Sequence, residues 1–472
     1  MNWTQLLAPD RARPSLRKKS ADGRSEFEKD YHRIIGSASF RRLQDKTQVF
    51  PLDKSDFIRT RLTHSLEVSS FAKSLGQSAC RAVRERGLDP LLDERAAADI
   101  CDVLLCAGLI HDLGNPPFGH FGETAIREWF ADNLPVLTYK GDPLERRLSQ
   151  AMRQDFLHFE GNAQALRLVS RLHYMVDEHG MNLTYALLNA IIKYPVPSTG
   201  IDKRSGDIKT KKMGYFTAEK DLYRQITAAT GAAGVRHPLA FLLEAADDIA
   251  YRTADIEDGL KKGMLSAGIL LEALRRHTLS DLSDRDREAY WELVEDLDRR
   301  LADAVQRGVA QPEQYALQNW LVRVQGRLIY CAVRGFISHY GQIMEGSYPH
   351  DLFHGSFGAD LCRVLGDVAL RYIFRSRPIL KLEIAAHTIL SFLLDSFAKA
   401  ALAFDSDLPM SEVDRRLMDI VSDNYKNAYR KQAAGKSEDE RLYLRLLLVT
   451  DFICGMTDSY AKSLYQELRG IY

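Results

Sequence analysis

Apolar residues in this chain recur at helical rather than strand spacing along most of its length. From Ala96 onward, Ile100, Val103, Leu104 and Ala107 fall on one face, and His111 continues it. Gly114, Asn115, Pro116 and Pro117 follow at once, which ends the helix and leaves His111 and Asp112 at its open end. Core helices are expected to run to about residue 194. Residues 195–220 carry Pro, Gly and a lysine cluster (Lys203, Lys209, Lys211, Lys212), predicting a mobile loop or short hairpin that serves as a lid or is a solvated insertion. Beyond Gly259 helical patterns return at 321–343, 379–402 and 441–468, with polar connections near 281–287, 345–358 and 403–412. The expected fold class is therefore all-α. Residues 1–24 (Arg11, Arg13, Arg17, Lys18, Lys19, Arg24) read as a flexible basic arm, 25–260 as the core, and 261–472 as a helical accessory or oligomerisation region.

Composition narrows the function classes. A chain of 472 residues, 45% hydrophobic, can bury a large core. Its 64 basic and 64 acidic residues cancel, giving no global drive toward nucleic acid or an anionic membrane, so any such contact must be local. No apolar stretch approaches about 18 residues, and the opening Met1–Leu7 lacks a signal-peptide run. The six cysteines (80, 101, 106, 331, 362 and 454) show no Cys-x-x-Cys spacing and read as buried thiols of a reducing compartment. Together these predict a cytoplasmic protein. There is no phosphate-binding loop of the Gly-x-x-x-x-Gly-Lys type, no Gly-x-Gly-x-x-Gly after a strand and no Gly-x-Ser-x-Gly, which disfavours a P-loop nucleotidase, a Rossmann enzyme or a serine hydrolase.

What remains is a set of histidines and carboxylates. His64, His111, Asp112 and Asp247 lie in apolar helical contexts and would give a mixed nitrogen and oxygen shell for a six-coordinate divalent ion, with places left for water and phosphate oxygens. A buried imidazole can equally be satisfied by a backbone carbonyl or carboxylate. Asp247 and Asp248 cannot both face one ion; Asp248 has Arg252 four residues on, an ordinary surface pair, so Asp247 is assigned to the metal. His120 and Glu123, three residues apart on the first turn of a new helix, read as a catalytic pair in which the carboxylate polarises the imidazole; the alternative is that Glu123 caps free backbone amides. Of the cations near His64 (Arg41, Arg42, Lys46, Arg59, Arg61), Arg61 ranks highest for phosphate, together with Lys193.

At this point a resemblance becomes specific. His64, His111-Asp112 and Asp247 resemble the metal ligands of the HD-domain phosphohydrolase superfamily, and Phe40 through Phe50, Arg59 through Ser65, His111 through Glu123, Phe159 through Gln164 and Ala245 through Tyr251 resemble its deoxyguanosine triphosphate triphosphohydrolase branch. The resemblance implies an HD-type helical core over 25–260 holding one divalent metal, manganese or magnesium first, with cobalt, nickel or iron as alternatives. It implies cleavage of a deoxynucleoside triphosphate to deoxynucleoside and inorganic triphosphate, with His120 and Glu123 as the catalytic pair. Gln48 is similar to a sugar-contacting glutamine; Lys193, Tyr194, Tyr251 and Asp255 are similar to residues lining the triphosphate and deoxyribose pocket, where a tyrosine beneath the sugar would exclude a ribose 2′-hydroxyl. Distal arginines such as Arg375 or Arg377 would reach the polyphosphate, and a homo-oligomer is expected. The alternatives are another HD-type reaction, on a nucleoside monophosphate, cyclic nucleotide or alarmone, and a non-catalytic protein that binds nucleotide or single-stranded nucleic acid.

Overall fold

The computed structural model describes residues 1–13, 23–52, 58–173 and 177–471. Helices make up 69% of it and strands almost nothing, so the all-α expectation holds. Among the described residues the one sheet is a two-stranded hairpin of Thr138–Tyr139 with Asp142–Pro143.

Two helices, Arg61–Glu85 and Glu94–Ile110, form the centre. Val68, Ala72 and Leu75 on the first and Val103, Leu104 and Ala107 on the second are fully buried, which is the helical period read from the sequence made into packing. The backbones approach closely at Gly108: a methyl group there would lie 2.4 Å from the Ser69 Cα, so only glycine fits. Ser69 Oγ seals the crossing by donating to the Leu105 carbonyl at 2.8 Å. The long helix Pro238–Lys261 packs against both. His64, His111 and Asp247 are thus delivered from three helices of one bundle.

Two expectations need correction. The N-terminal segment is not a free arm over residues 1–13: Trp3–Leu6 is a helical turn with Trp3 and Leu6 buried, Trp3 Nε1 donates to Tyr340 at 2.7 Å, and Arg11 is held by Asp30 at 2.5 Å and Glu26 at 3.0 Å. Two large apolar side chains within four residues anchor it, a signal too short to register as a period. Arg17, Lys18 and Lys19 lie outside the described residues. The 195–220 segment is not a hairpin: its tip, residues 202–206, is exposed, but its ends are packed on the core. Three short 3-10 turns and a parallel bridge between Pro197 and Tyr215 shape it, Met213, Tyr215 and Phe216 are buried, and Ser198 and Thr217 bind Asp155.

The second half of the chain is helical and continuous with this core. Helix Arg377–Ala403 packs against His120–Asn133 and against Glu438–Cys454. Arg167, 1% exposed, binds Asp451 through two nitrogens and Glu219 at 2.7 Å, joining the first half to the last helices. Breaking such a buried pair from one side costs about 3–5 kcal/mol, so the C-terminal helices are structural partners of the site. The six cysteines are all buried and unpaired. Among the described residues no helix is long and apolar enough to cross a membrane.

Candidate metal centre and catalytic cleft

His64 sits one turn into its helix, behind the Thr60 cap, and is fully buried. His111 follows the last turn of Glu94–Ile110 as its C-cap. Its Nδ1 lies 2.8 Å from the Gly108 carbonyl, an acceptor only, so Nδ1 carries a proton and Nε2 is the nitrogen turned toward the group. That Nε2 is buried and has no hydrogen-bond partner. It lies 3.5 Å from Asp247 Oδ1, which is itself 3.2 Å from His64 Nε2. The three donor atoms fall within 4.8 Å of one another, and among the described residues this is the one group of three or more such side chains. A buried, unpartnered imidazole nitrogen facing a carboxylate and a second imidazole fits a divalent ion of mixed nitrogen and oxygen preference.

Asp112 stands at the edge of the group. Its oxygens lie 3.5 Å from His111 Nε2 and 4.0 Å from His64 Nε2, but one is held by Arg61 at 2.5 Å and the other by Asn115 at 2.7 Å. The sequence set of four therefore appears as three clustered donors and one neighbour engaged by other groups. Burial opposes ionisation of Asp112, yet Arg61 and the two imidazoles hold it well below the usual carboxylate range. Asp247 behaves alike: against burial, Lys193 at 2.7 Å and His111 keep it ionised. Asp248 instead pairs with Arg252 at 3.8 Å, and burial pushes its carboxyl up to about 7.

The second constellation lies across Arg61. Phe118 and Gly119 both take positive φ, 65° and 60°, and a methyl group on Gly119 would meet the Arg61 guanidinium at 2.5 Å. The chain then enters His120–Asn133 with the His120 side chain 72% exposed. Its Nδ1 lies 3.0 Å from Glu123 Oε2, while Glu123 Oε1 accepts the Gly161 amide at 2.7 Å. Glu123 thus combines both readings of the sequence: it orients the imidazole and binds a free amide, that of the neighbouring helix Gly161–Arg167 rather than its own. The hydrogen bond to Glu123 raises the imidazole above its ordinary value, and His120 in turn lowers the buried Glu123 against its desolvation. The pair opens onto a cleft of about 520 Å³ lined by Arg127, Lys203, Lys211 and Lys212, with Lys212 bound to Glu160 at 2.5 Å. Arg127 carried no sequence signal. Glu160 lies within the Phe159–Gln164 stretch that carries part of the family resemblance.

The remaining predicted residues are less tightly gathered. Lys193 joins the centre through Asp247, and Tyr194 is buried beside it. Gln48 presents a buried Oε1 without a partner. Tyr251 stacks on Phe374, ring centroids 6.3 Å apart, while Arg375 and Arg377 beyond it are exposed. Asp255 is 1% exposed with both oxygens unpartnered, and burial pushes its carboxyl well above the ordinary range. Two buried residues that contact the Asp112–His120 turn stand outside the site expected from the sequence: Lys46, there one of several available cations, and Asp458.

Residues 61–174 match the model of the HD domain. Over the full length of both chains, this one is 48% identical to a deoxyguanosinetriphosphate triphosphohydrolase-like protein of Listeria monocytogenes. A protein of the same description from Pseudomonas aeruginosa is 36% identical over all of this chain and 99% of its own. A deoxyguanosinetriphosphate triphosphohydrolase of Yersinia enterocolitica is 33% identical over 97% of each chain. The chain belongs to the deoxyguanosinetriphosphate triphosphohydrolase-like family of HD-domain hydrolases.

Proposed function

We propose that this protein is a metal-dependent hydrolase of deoxynucleoside triphosphates, releasing deoxynucleoside and inorganic triphosphate in the cytoplasm. The observation that carries the reading is the buried, unpartnered His111 Nε2 in a group with His64 and Asp247, set one arginine away from the His120–Glu123 pair. His64, His111 and Asp247, with Asp112 beside them, would hold the ion, manganese or magnesium first. When bound it supplies Lewis-acid activation of water and neutralisation of phosphoryl charge.

The chain's own residues have separable tasks. His120 moves the proton, from the attacking water or to the leaving 5′ oxygen, and Glu123 fixes its ring. Lys211, Lys212 and Arg127 line the cleft beside it and would meet the polyphosphate charge. Arg61 lies against both Asp112 and Gly119 and so sets the distance between the two constellations. Gln48, Tyr194, Tyr251 and Asp255 are assigned to the sugar side, where a protonated Asp255 could donate a hydrogen bond. A homo-oligomer is part of this reading; the exposed Leu380 and Ile384 on Arg377–Ala403 would suit a subunit contact.

The test is product analysis. The chelator-treated protein is given each of the four dNTPs and GTP with manganese, magnesium or cobalt, and products are followed by phosphorus NMR. Inorganic triphosphate from a dNTP supports the reading. Orthophosphate or pyrophosphate would point to another HD-type reaction, and salt-dependent binding of single strands without turnover to a non-catalytic protein.

A further inference from the structure

The turn between Asp112 and His120 is pinned by residues far from it in sequence. Lys46, 2% exposed, donates to the carbonyls of Asn115 and Cys454, both at 2.6 Å. Asp458, 1% exposed, accepts the Phe118 amide on Oδ1 at 2.9 Å, and on Oδ2 the Thr47 amide at 3.0 Å and hydroxyl at 2.6 Å. Phe118 is a bulky residue held at positive φ, which persists only where the surroundings enforce it. Gly119 follows in the same region, and His120 opens the helix. His120 is the first residue of that helix and the Gly119 carbonyl accepts the Glu123 amide at 3.1 Å, so the hold on the turn decides whether the first helical turn, which brings the His120 ring to Glu123, stays closed or frays.

We propose that Asp458 is a positioning residue: by holding the Phe118 amide it fixes the left-handed turn on which the helix starts, and so keeps closed the first helical turn that carries His120 and Glu123. This rests on the reading of His120 as the proton-transfer group. The C-terminal helix Asp458–Leu468 then takes part in the site through its first residue, although it contributes nothing that touches the reacting atoms. A neighbouring tie supplies the control. Ser459 Oγ donates to Asp45 at 2.8 Å, joining the same two segments of chain without contacting the turn.

The experiment compares Asp458→Ala, which removes the acceptor of the Phe118 amide, with Ser459→Ala in the full-length, manganese-loaded protein. Asp458→Ala is expected to lower kcat by on the order of 10- to 100-fold with KM little changed, as a small misplacement of a reacting group does. Ser459→Ala is expected to match the wild type. Titration of the His120 ring by NMR in the metal-free proteins reads the positioning itself. In Asp458→Ala its pKa should fall toward the ordinary imidazole value, because the Glu123 contact is loosened; an unmoved titration overturns the proposal whatever kcat does. Amide exchange of the wild type serves if Asp458→Ala does not fold: the Phe118 amide should be protected like a helical amide, and free exchange would overturn the assignment. Should the wild type cleave no dNTP, the proposed function fails, while the titration and the exchange still decide the role of Asp458.

Discussion

Arg61 reaches Asp112 at 2.5 Å while its guanidinium lies against Gly119, one residue before His120. The arginine is 3% exposed and Asp112 is held ionised beside two imidazoles. Replacing Arg61 with Gln leaves that carboxylate without its strongest counter-charge. The expected result is a loss of about 3 kcal/mol in the metal-free protein, partly restored by manganese, which binds the folded state. Denaturant unfolding with and without the ion reads both effects. Equal losses under the two conditions would contradict the placement of Asp112 beside the cation.

Glu123 raises the His120 pKa by a direct hydrogen bond, so Glu123→Gln should lower it toward the ordinary value. The sign follows from charge: an ionised carboxylate stabilises the imidazolium, and a neutral amide does so less. The raised pKa also means that the pair stabilises the fold fully below the ordinary imidazole range, and that this contribution disappears as pH rises through the raised value. NMR titration of His120 in both proteins measures the shift, and an upward move in the variant would refute the geometry.

Gly108 allows the two central helices to meet, and a methyl group there would strike the Ser69 backbone. Gly108→Ala is expected to destabilise the protein by about 1–3 kcal/mol, in spite of the better helix propensity of alanine. Metal affinity should fall with it, because His64 and His111 ride on these helices. Chemical denaturation together with manganese titration checks the pair of effects.

Much of this was legible in the sequence, and the reasons are local. Ile100, Val103, Leu104 and Ala107 announce the helix that carries His111, and the glycine and prolines after it announce its end. The spacing of His120 and Glu123 places both on one turn, where they are found in contact. Asp248 is separated from Asp247 by its Arg252 partner four residues on. Other features depend on contacts that no local pattern encodes. Asp458 meets Phe118 across 340 positions, and nothing around it distinguishes it from a surface aspartate at a helix start. Lys46 looks like one of many solvated cations, yet it is buried against two carbonyls, and burial lowers its pKa to about 8. The 195–220 segment shows its lysines and glycines in the sequence, whereas its order comes from Met213, Tyr215 and Phe216 meeting the core. The sharing of Asp112 with Arg61 and Asn115 is likewise a product of tertiary approach.

The claim on which the account rests is that Asp247 serves the metal and His120 serves the reaction. Asp247→Ala and His120→Ala should therefore be compared with the wild type for manganese bound per chain, by calorimetry, and for release of triphosphate from dGTP. The account predicts that Asp247→Ala loses both metal and turnover, whereas His120→Ala binds manganese as the wild type does and turns over substrate on the order of 100-fold or more slowly. Wild-type turnover by His120→Ala, or undiminished manganese binding by Asp247→Ala, would contradict it.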